Sequence, residues 1–216
     1  METIQGKKPF HLTKEEFSRQ VAGYQNIWLD LGTGDGRFVR QTAESHPDWF
    51  IIGADACREN LREHSRKKPA NALFVIANAL GLPPELDGLC AGISINFPWG
   101  SLLRGLLEAD PALMSGLARV ALPGAEVTIR LNGGALAEAG WGAEAGAWQA
   151  HDQLWQSGFS ARKPRLMGVH DLGTCPTTWA RRLAVGRDPR GWEISARALP
   201  AQGLFAPTRA NLLVST

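Results

Sequence analysis

The chain is poor in sulfur and nearly without tyrosine: three cysteines, three methionines and one tyrosine in 216 residues. Cys57, Cys90 and Cys175 stand far apart, which excludes a disulfide-framed fold and a zinc site of spaced cysteines. A reducing, cytoplasmic setting is expected. No apolar run reaches the ~18–20 residues of a membrane-spanning helix. The opening Met1-Glu2-Thr3-Ile4-Gln5-Gly6-Lys7-Lys8 lacks the apolar centre of a secretion signal. No G-x-x-x-x-G-K-[ST] occurs, so a P-loop nucleotide site is excluded. No charge of one sign dominates either, with 23 basic against 21 acidic residues. Local clusters therefore carry the information. Arg62, Arg66, Lys67 and Lys68 form one, Arg181, Arg182, Arg187 and Arg190 a second, and Lys7 with Lys8 a third. Several basic clusters on a near-neutral chain suit a phosphate-bearing partner.

The size and composition suit one α/β domain, expected over residues 1–200. Residues 3–12 read as a hairpin turning at Gly6-Lys7-Lys8-Pro9, and Thr13 with Glu16 as the capping box of a helix reaching residue 22. Residues 1–24 thus form an N-terminal extension. Buried strands are expected at 27–30, 50–55, 72–77, 92–97 and 125–131, with helices at 37–45, 58–67, 102–107 and 111–120 and a turn at Leu122-Pro123-Gly124. Such alternation implies a parallel sheet covered by helices on both faces, with ligands at the strands' C-terminal edge. Residues 132–150, rich in Gly and Ala, read as an insertion with some helix. A helix at 149–158, a strand at 165–169, a helix at 178–187 and a strand at 192–199 follow, and 201–216 is expected to be a disordered tail.

The most informative segment is Trp28-Leu29-Asp30-Leu31-Gly32-Thr33-Gly34-Asp35-Gly36-Arg37. An apolar strand ends in an acid, and three glycines follow at alternate positions. Such a loop lets backbone approach a ligand closely at a helix N-terminus. The spacing G-x-G-x-G points to S-adenosylmethionine (SAM) over a dinucleotide, whose fingerprint places its third glycine later. A generic nucleotide-binding Rossmann domain is the alternative. Asp55, on the order of 20 residues further on at the next strand end, suits a ribose diol. Asp30 suits the amino end of SAM, and Ala77 and Asn78 the flank of its adenine. Gly32, Thr33, Gly34 and Gly36 complete the expected cofactor set. After the fourth strand, Asn96-Phe97-Pro98-Trp99-Gly100-Ser101-Leu102-Leu103 puts a proline and an aromatic where a planar target would stack. A ring nitrogen with a free lone pair needs positioning more than acid–base help.

At these residues the chain resembles the bacterial 16S rRNA (adenine-1408 N1) methyltransferases, which confer resistance to kanamycin- and apramycin-type aminoglycosides. The resemblance rests on the hairpin, Asp30-Leu31-Gly32-Thr33-Gly34-Asp35-Gly36, Phe97-Pro98-Trp99-Gly100-Ser101-Leu102-Leu103 and Thr178-Trp179-Ala180-Arg181-Arg182-Leu183. It implies a Rossmann-like class I SAM-dependent methyltransferase: a mostly parallel seven-stranded sheet with an N-terminal β-hairpin extension. It implies Trp99 and Trp179 as a clamp for a flipped adenine, with Pro98 and Thr177 beside it. Lys7, Arg62, Arg66, Lys67, Lys68, Arg181, Arg182, Arg187 and Arg190 would face RNA. SAM would be the donor and S-adenosylhomocysteine the product, with no metal. The partner would be helix 44 of 16S rRNA in the 30S subunit, met by a monomer with no membrane association.

Four departures stand out, one of them the Gly/Ala-rich stretch around 133–148, which is unlike the family pattern. Leu80 occupies a position where the family often has glutamate, in Ala-Glu-x-Leu-Pro; Asn96 replaces an aliphatic residue; and Asp188-Pro189 interrupts a basic stretch. Three other functions compete. Ile95-Asn96-Phe97-Pro98 is close to the strand-end motif of tRNA guanine-N7 methyltransferases, although Trp99-Gly100 follows in place of their Asp-Pro-Trp. A small-molecule methyltransferase would show little salt dependence. A SAM- or RNA-binding homologue with weak or no catalysis is the non-enzyme alternative.

Overall fold

The computed structural model describes residues 1–185 and 190–200. Arg187, the Asp188-Pro189 departure and the 201–216 tail lie outside the described residues. Strands β1 (Glu2–Gln5) and β2 (Lys8–His11) form the expected hairpin. Helix α1 (Lys14–Val21) carries the full capping box: Glu16 N–H donates to Thr13 Oγ1, and Thr13 N–H to the Glu16 carboxylate. Such a cap is worth about 1 kcal/mol. Then come β3 (Asn26–Leu31), α2 (Arg37–Ser45), β4 (Trp49–Asp55), α3 (Arg62–Ser65) and β5 (Ala72–Ile76). The second half continues with β6 (Cys90–Asn96), α4 (Gly100–Glu108), α5 (Pro111–Val120) and β7 (Ala121–Asn132). It closes with α6 (Gly133–Glu138), α7 (Ala143–Gln156), β8 (Phe159–Ala161), β9 (Arg165–Met167), α8 (Val169–Thr174), α9 (Thr178–Val185) and β10 (Gly191–Ala198).

One sheet runs through the fold in the order β2-β1-β5-β4-β3-β6-β7-β10-β8, with β9 also paired to β10. The five strands from β5 to β7 are parallel, and β10 lies antiparallel to β7. The chain builds outward from β3 to β5, then returns to lay β6 on the other side of β3. That reversal opens a crevice at the C-terminal edge, the binding position of a doubly wound sheet. This is the Rossmann-like architecture implied by the sequence. The hairpin extends its edge through the Thr3–Val75 pairing. The core covers both faces. Val39 and Ala43 of α2 pack with Ile51 and Phe74, and Leu106 of α4, Leu117 of α5 and Leu154 of α7 belong to the larger cluster with Leu29 and Ile93.

Several details differ from expectation. The described residues contain ten strands, since the hairpin adds two and the sixth strand of the core is split into β8 and β9. Between them Lys163-Pro164 leaves the ladder after Arg162 N–H donates to Ser195 O, and Pro164 has no N–H to donate. The helix expected over 58–67 is a single turn, α3. Leu122-Pro123-Gly124 is a bulge within β7, where the pairing jumps from Cys90–Ala121 to Gly92–Glu126. The Gly/Ala-rich stretch supplies α6 and the first half of α7, so the helix expected from residue 149 begins at Ala143. There Gly146 gives Leu136 the room a side chain would take, which explains the glycine at that position. Helix α8 was not expected.

Candidate active site

The C-terminal ends of β3, β4, β5 and β6 enclose a cavity of about 550 Å³, walled on its far side by Thr177, Thr178, Trp179 and Arg182. Its size falls within the ~300–1,000 Å³ of small-molecule sites. The glycine loop hangs from the end of β4, with the Gly32 and Thr33 N–H groups both donating to Ala54 O at 2.8 and 3.0 Å. Gly34 has φ +58°, and nothing lies within 4 Å of where a Cβ would stand, so bare backbone faces the cavity. Gly36 behaves differently. It does not line the cavity; it starts α2 with φ +79°, and a Cβ there would sit 2.3 Å from the Phe74 ring. Gly36 is a packing glycine.

Two carboxylates face each other across the loop. Asp55, half-buried, accepts from Gly34 N–H at 2.9 Å and Cys57 N–H at 2.8 Å. Asp30 is buried, with 1% exposure. It accepts from Thr33 Oγ1 at 2.5 Å, Ser94 Oγ at 2.8 Å and Asn96 Nδ2 at 2.8 Å. Burial pushes its pKa up to about 6, against the pull of those three donors and of Arg130. Ala77 and Asn78 line the cavity as expected, and Asn78 Oδ1 accepts from Leu80 N–H at 3.0 Å. Leu80, 41% exposed, lines the same wall.

The fourth strand ends in a kink. Phe97 has φ +52°, a left-handed conformation uncommon for an aromatic residue. The kink sends Phe97 down into a cluster with Met167, Leu172, Cys175, Ala180 and Leu183, while Pro98 and Trp99 line the cavity. That cluster seats α8 and α9 against the strand end. Thr177 is buried, and its Oγ1 accepts from Ala180 N–H at 2.9 Å, so its hydroxyl caps the start of α9. Trp179 follows, 38% exposed. The Trp99 and Trp179 rings lie 5.2 Å apart between centroids, tilted by 32°, and the Arg182 guanidinium sits 5.1 Å from the centre of the Trp179 ring. The Trp99 indole N–H is buried without a partner. Thr178 Oγ1 donates to Asp35 at 2.5 Å, tying α9 to the glycine loop.

Sequence reasoning missed Asp35, Phe38, Asn60, Ser101 and Leu102 as cavity residues. Closeness to the two motifs signalled all but Asn60, which follows Asp55 by five positions. The basic residues sort into two groups. Lys7, Arg66, Lys67, Arg181 and Arg182 are exposed. The hairpin turn is fixed near the first three, because Gly6 N–H donates to Ser65 Oγ and the Arg66 stem lies against Gly6. Lys68 is turned inward instead: its ammonium donates to Ala72 O at 2.5 Å, and burial lowers its pKa. Arg62 is paired with Glu59 at 2.8 Å. Arg190 is exposed, and its carbonyl accepts from Gly133 N–H, joining the start of β10 to α6.

The sequence profile of the 16S rRNA (adenine(1408)-N(1))-methyltransferases matches residues 2–198. The chain belongs to this family. A 16S rRNA (adenine(1408)-N(1))-methyltransferase of Streptoalloteichus hindustanus is 32% identical over 204 residues, 87% of this chain and 94% of that protein. One from Escherichia coli is 31% identical over 214 residues, 89% and 96% of the two chains. A mutant of the Catenulisporales acidiphilia enzyme, crystallised with cosubstrate SAM, matches this fold with a TM-score of 0.81 at 27% identity, over 94% of this chain and 98% of that one. A match across nearly the whole chain sets aside the tRNA guanine-N7 alternative. The residues of this methyltransferase fit SAM: the loop backbone is bare at Gly34, Asp55 stands at the neighbouring strand end, and the cavity has the volume for a small molecule.

Proposed function

We propose that this protein methylates N1 of adenine 1408 in 16S rRNA, acting as a cytoplasmic monomer on helix 44 of the assembled 30S subunit and conferring aminoglycoside resistance. The observation that carries this reading is a single cavity shared by a cofactor-type glycine loop and the Trp99–Trp179 pair. Gly32, Thr33, Gly34, Asp55, Ala77 and Asn78 would hold SAM, with Asp30 at its amino end. When bound, SAM supplies an electrophilic methyl on its sulfonium. N1 of adenine carries a free lone pair, so the protein's task is to orient the base. Pro98 and Trp99 form one wall and Trp179 the other. An adenine between two rings needs roughly 7 Å between them, two contact layers of ~3.5 Å. At 5.2 Å the rings touch each other, so the base must part them on entry. Arg182 rests against Trp179 and travels with it.

Base extrusion costs a few kcal/mol, offset by stacking and by phosphate contacts. Lys7, Arg66, Lys67, Arg181 and Arg182 supply those contacts, since all five are exposed. Incubation of purified 30S subunits with the protein and SAM, followed by reverse transcription across the decoding site, tests this function. N1-methyladenine blocks the Watson–Crick edge and stops the transcriptase there. SAM binding with no stop would leave a cofactor-binding protein of another function.

A further inference from the structure

The departure at Asn96 has a structural counterpart that reaches across the sheet. Asn96 lies at the end of β6, opposite Arg130 on β7, which lies opposite Glu193 on β10, which pairs with Arg165 on β9. Side chains connect this row. Asn96 Nδ2 donates to Asp30, and Asn96 Oδ1 accepts from Arg130 Nη1, both at 2.8 Å. Arg130 Nε donates to Glu193 at 3.0 Å, and Arg165 donates to Glu193 at 2.9 Å and to Asp171 at 2.6 Å. Asp171 also accepts from Gly168 N–H at the start of α8. Charges alternate along the row, with the Asn96 amide as the neutral link between Asp30 and Arg130. The partners fix the orientation of that amide, since the reverse would set its oxygen against a carboxylate and its NH₂ against a guanidinium.

We propose that Asn96 is a positioning residue: it couples the buried Asp30 carboxylate to Arg130 and thereby keeps Asp30 ionised and fixed for the cationic amino end of SAM. This rests on the cofactor reading of the cavity. A carboxylate this deep is costly to charge unless hydrogen bonds and a nearby cation compensate. Thr33 from the loop and Ser94 from β6 supply two neutral donors. Arg130 supplies the cation, and only the Asn96 amide joins it to Asp30 by the hydrogen bonds described. The Cys175 thiol, between α8 and α9, lies within reach of these charges; burial raises its pKa, so it stays neutral and adds no charge of its own. An aliphatic residue at position 96 would leave Asp30 with two donors and Arg130 with one fewer acceptor.

The test is the titration of the Asp30 carboxyl by ¹³C NMR in the protein without SAM, its signal assigned from Asp30→Asn. In Asn96→Leu the midpoint should rise by roughly one pH unit through loss of a donor and of the coupled charge. SAM binding by calorimetry should then weaken several-fold more at pH 6 than at pH 8, a difference that a purely structural defect does not produce. Arg130→Met keeps the hydrogen bond from Asn96 to Asp30 and removes the cation, together with its bonds to Asn96 Oδ1 and Glu193. It should raise the midpoint as well, and it serves if Asn96→Leu does not fold. Arg130→Lys should restore the midpoint in part. An unmoved Asp30 midpoint in a folded variant overturns the proposal, as does a raised midpoint with SAM affinity equally weakened at both pH values. Wild-type protein that binds no SAM at any pH overturns the cofactor reading itself, whatever the Asp30 titration shows.

Discussion

The two walls of the cavity are built by different means. The glycine-loop wall is made of backbone, hung from β4 by two hydrogen bonds and backed by buried strands. The opposite wall is made of side chains on α9, where Trp179 is exposed and the Arg182 guanidinium lies over its ring. The first wall presents fixed, bare backbone at Gly34 and two carboxylates to the cavity. The second offers an exposed aromatic surface, Trp179, where the proposed base would enter. Buried backbone sits where the proposed ligand is small, and exposed side chains sit where the proposed larger partner would enter.

Substitutions can break this contrast, beginning with the stiffest point. Gly36→Ala forces a Cβ into Phe74 in a left-handed conformation and should cost roughly 2–5 kcal/mol in urea unfolding. Gly34→Ala meets open space and should cost only ~1–2 kcal/mol while weakening SAM binding. Equal losses of stability would contradict the distinction between packing glycine and ligand-facing glycine.

Asp30 gives the same wall a pH signature. Its pKa in the folded protein is raised to about 6 from an ordinary 3.8, so the folded state holds the proton more tightly than the unfolded state. Its contribution to stability is fully present below pH ~4 and is lost as pH rises through about 6. The loss amounts to about 3 kcal/mol. Unfolding free energies at pH 4.5 and 7.5 should therefore differ less in Asp30→Asn than in the wild type. A wild-type profile that keeps its full slope in the variant would assign the effect elsewhere.

At the aromatic pair, Trp99→Ala and Trp179→Ala should each reduce methylation by ~1–3 kcal/mol of stacking, read as weaker reverse-transcription stops. Full activity in both variants would end the clamp. The smallest effect separates two neighbouring lysines. Lys67→Ala should lower the salt dependence of 30S binding by about one counterion, whereas Lys68→Ala should leave it unchanged, because its ammonium is held by Ala72 O.

The rigid wall was legible in the sequence because its chemistry is local. Asp30, the glycines, Asp55 and Pro98-Trp99 declare themselves by spacing along single strands and turns. What could not be read depends on neighbours far apart in the chain. Asn96 looked like an odd substitution until the register of four strands brought Arg130, Glu193 and Arg165 into line with it. Lys68 looked like its neighbours because nothing in a run of basic residues shows which one turns inward. Helix α8 escaped because a short segment containing Gly173 has little helical pattern, and Leu172 packing on Phe97 and Met167 supplies what propensity does not. Thr177 was read as a contact for the base, and its oxygen proved to serve the helix first.

The hydrogen bond from Thr178 to Asp35 joins residues 143 positions apart. It has a consequence for the order of folding. Pairing of β10 with β7 brings the two chain segments together, and until then loop closure opposes the contact. The cofactor loop can therefore take shape early, while the cavity gains its second wall only after the last strand is in place. A chain released before β10 would hold most of the sheet and half of the site.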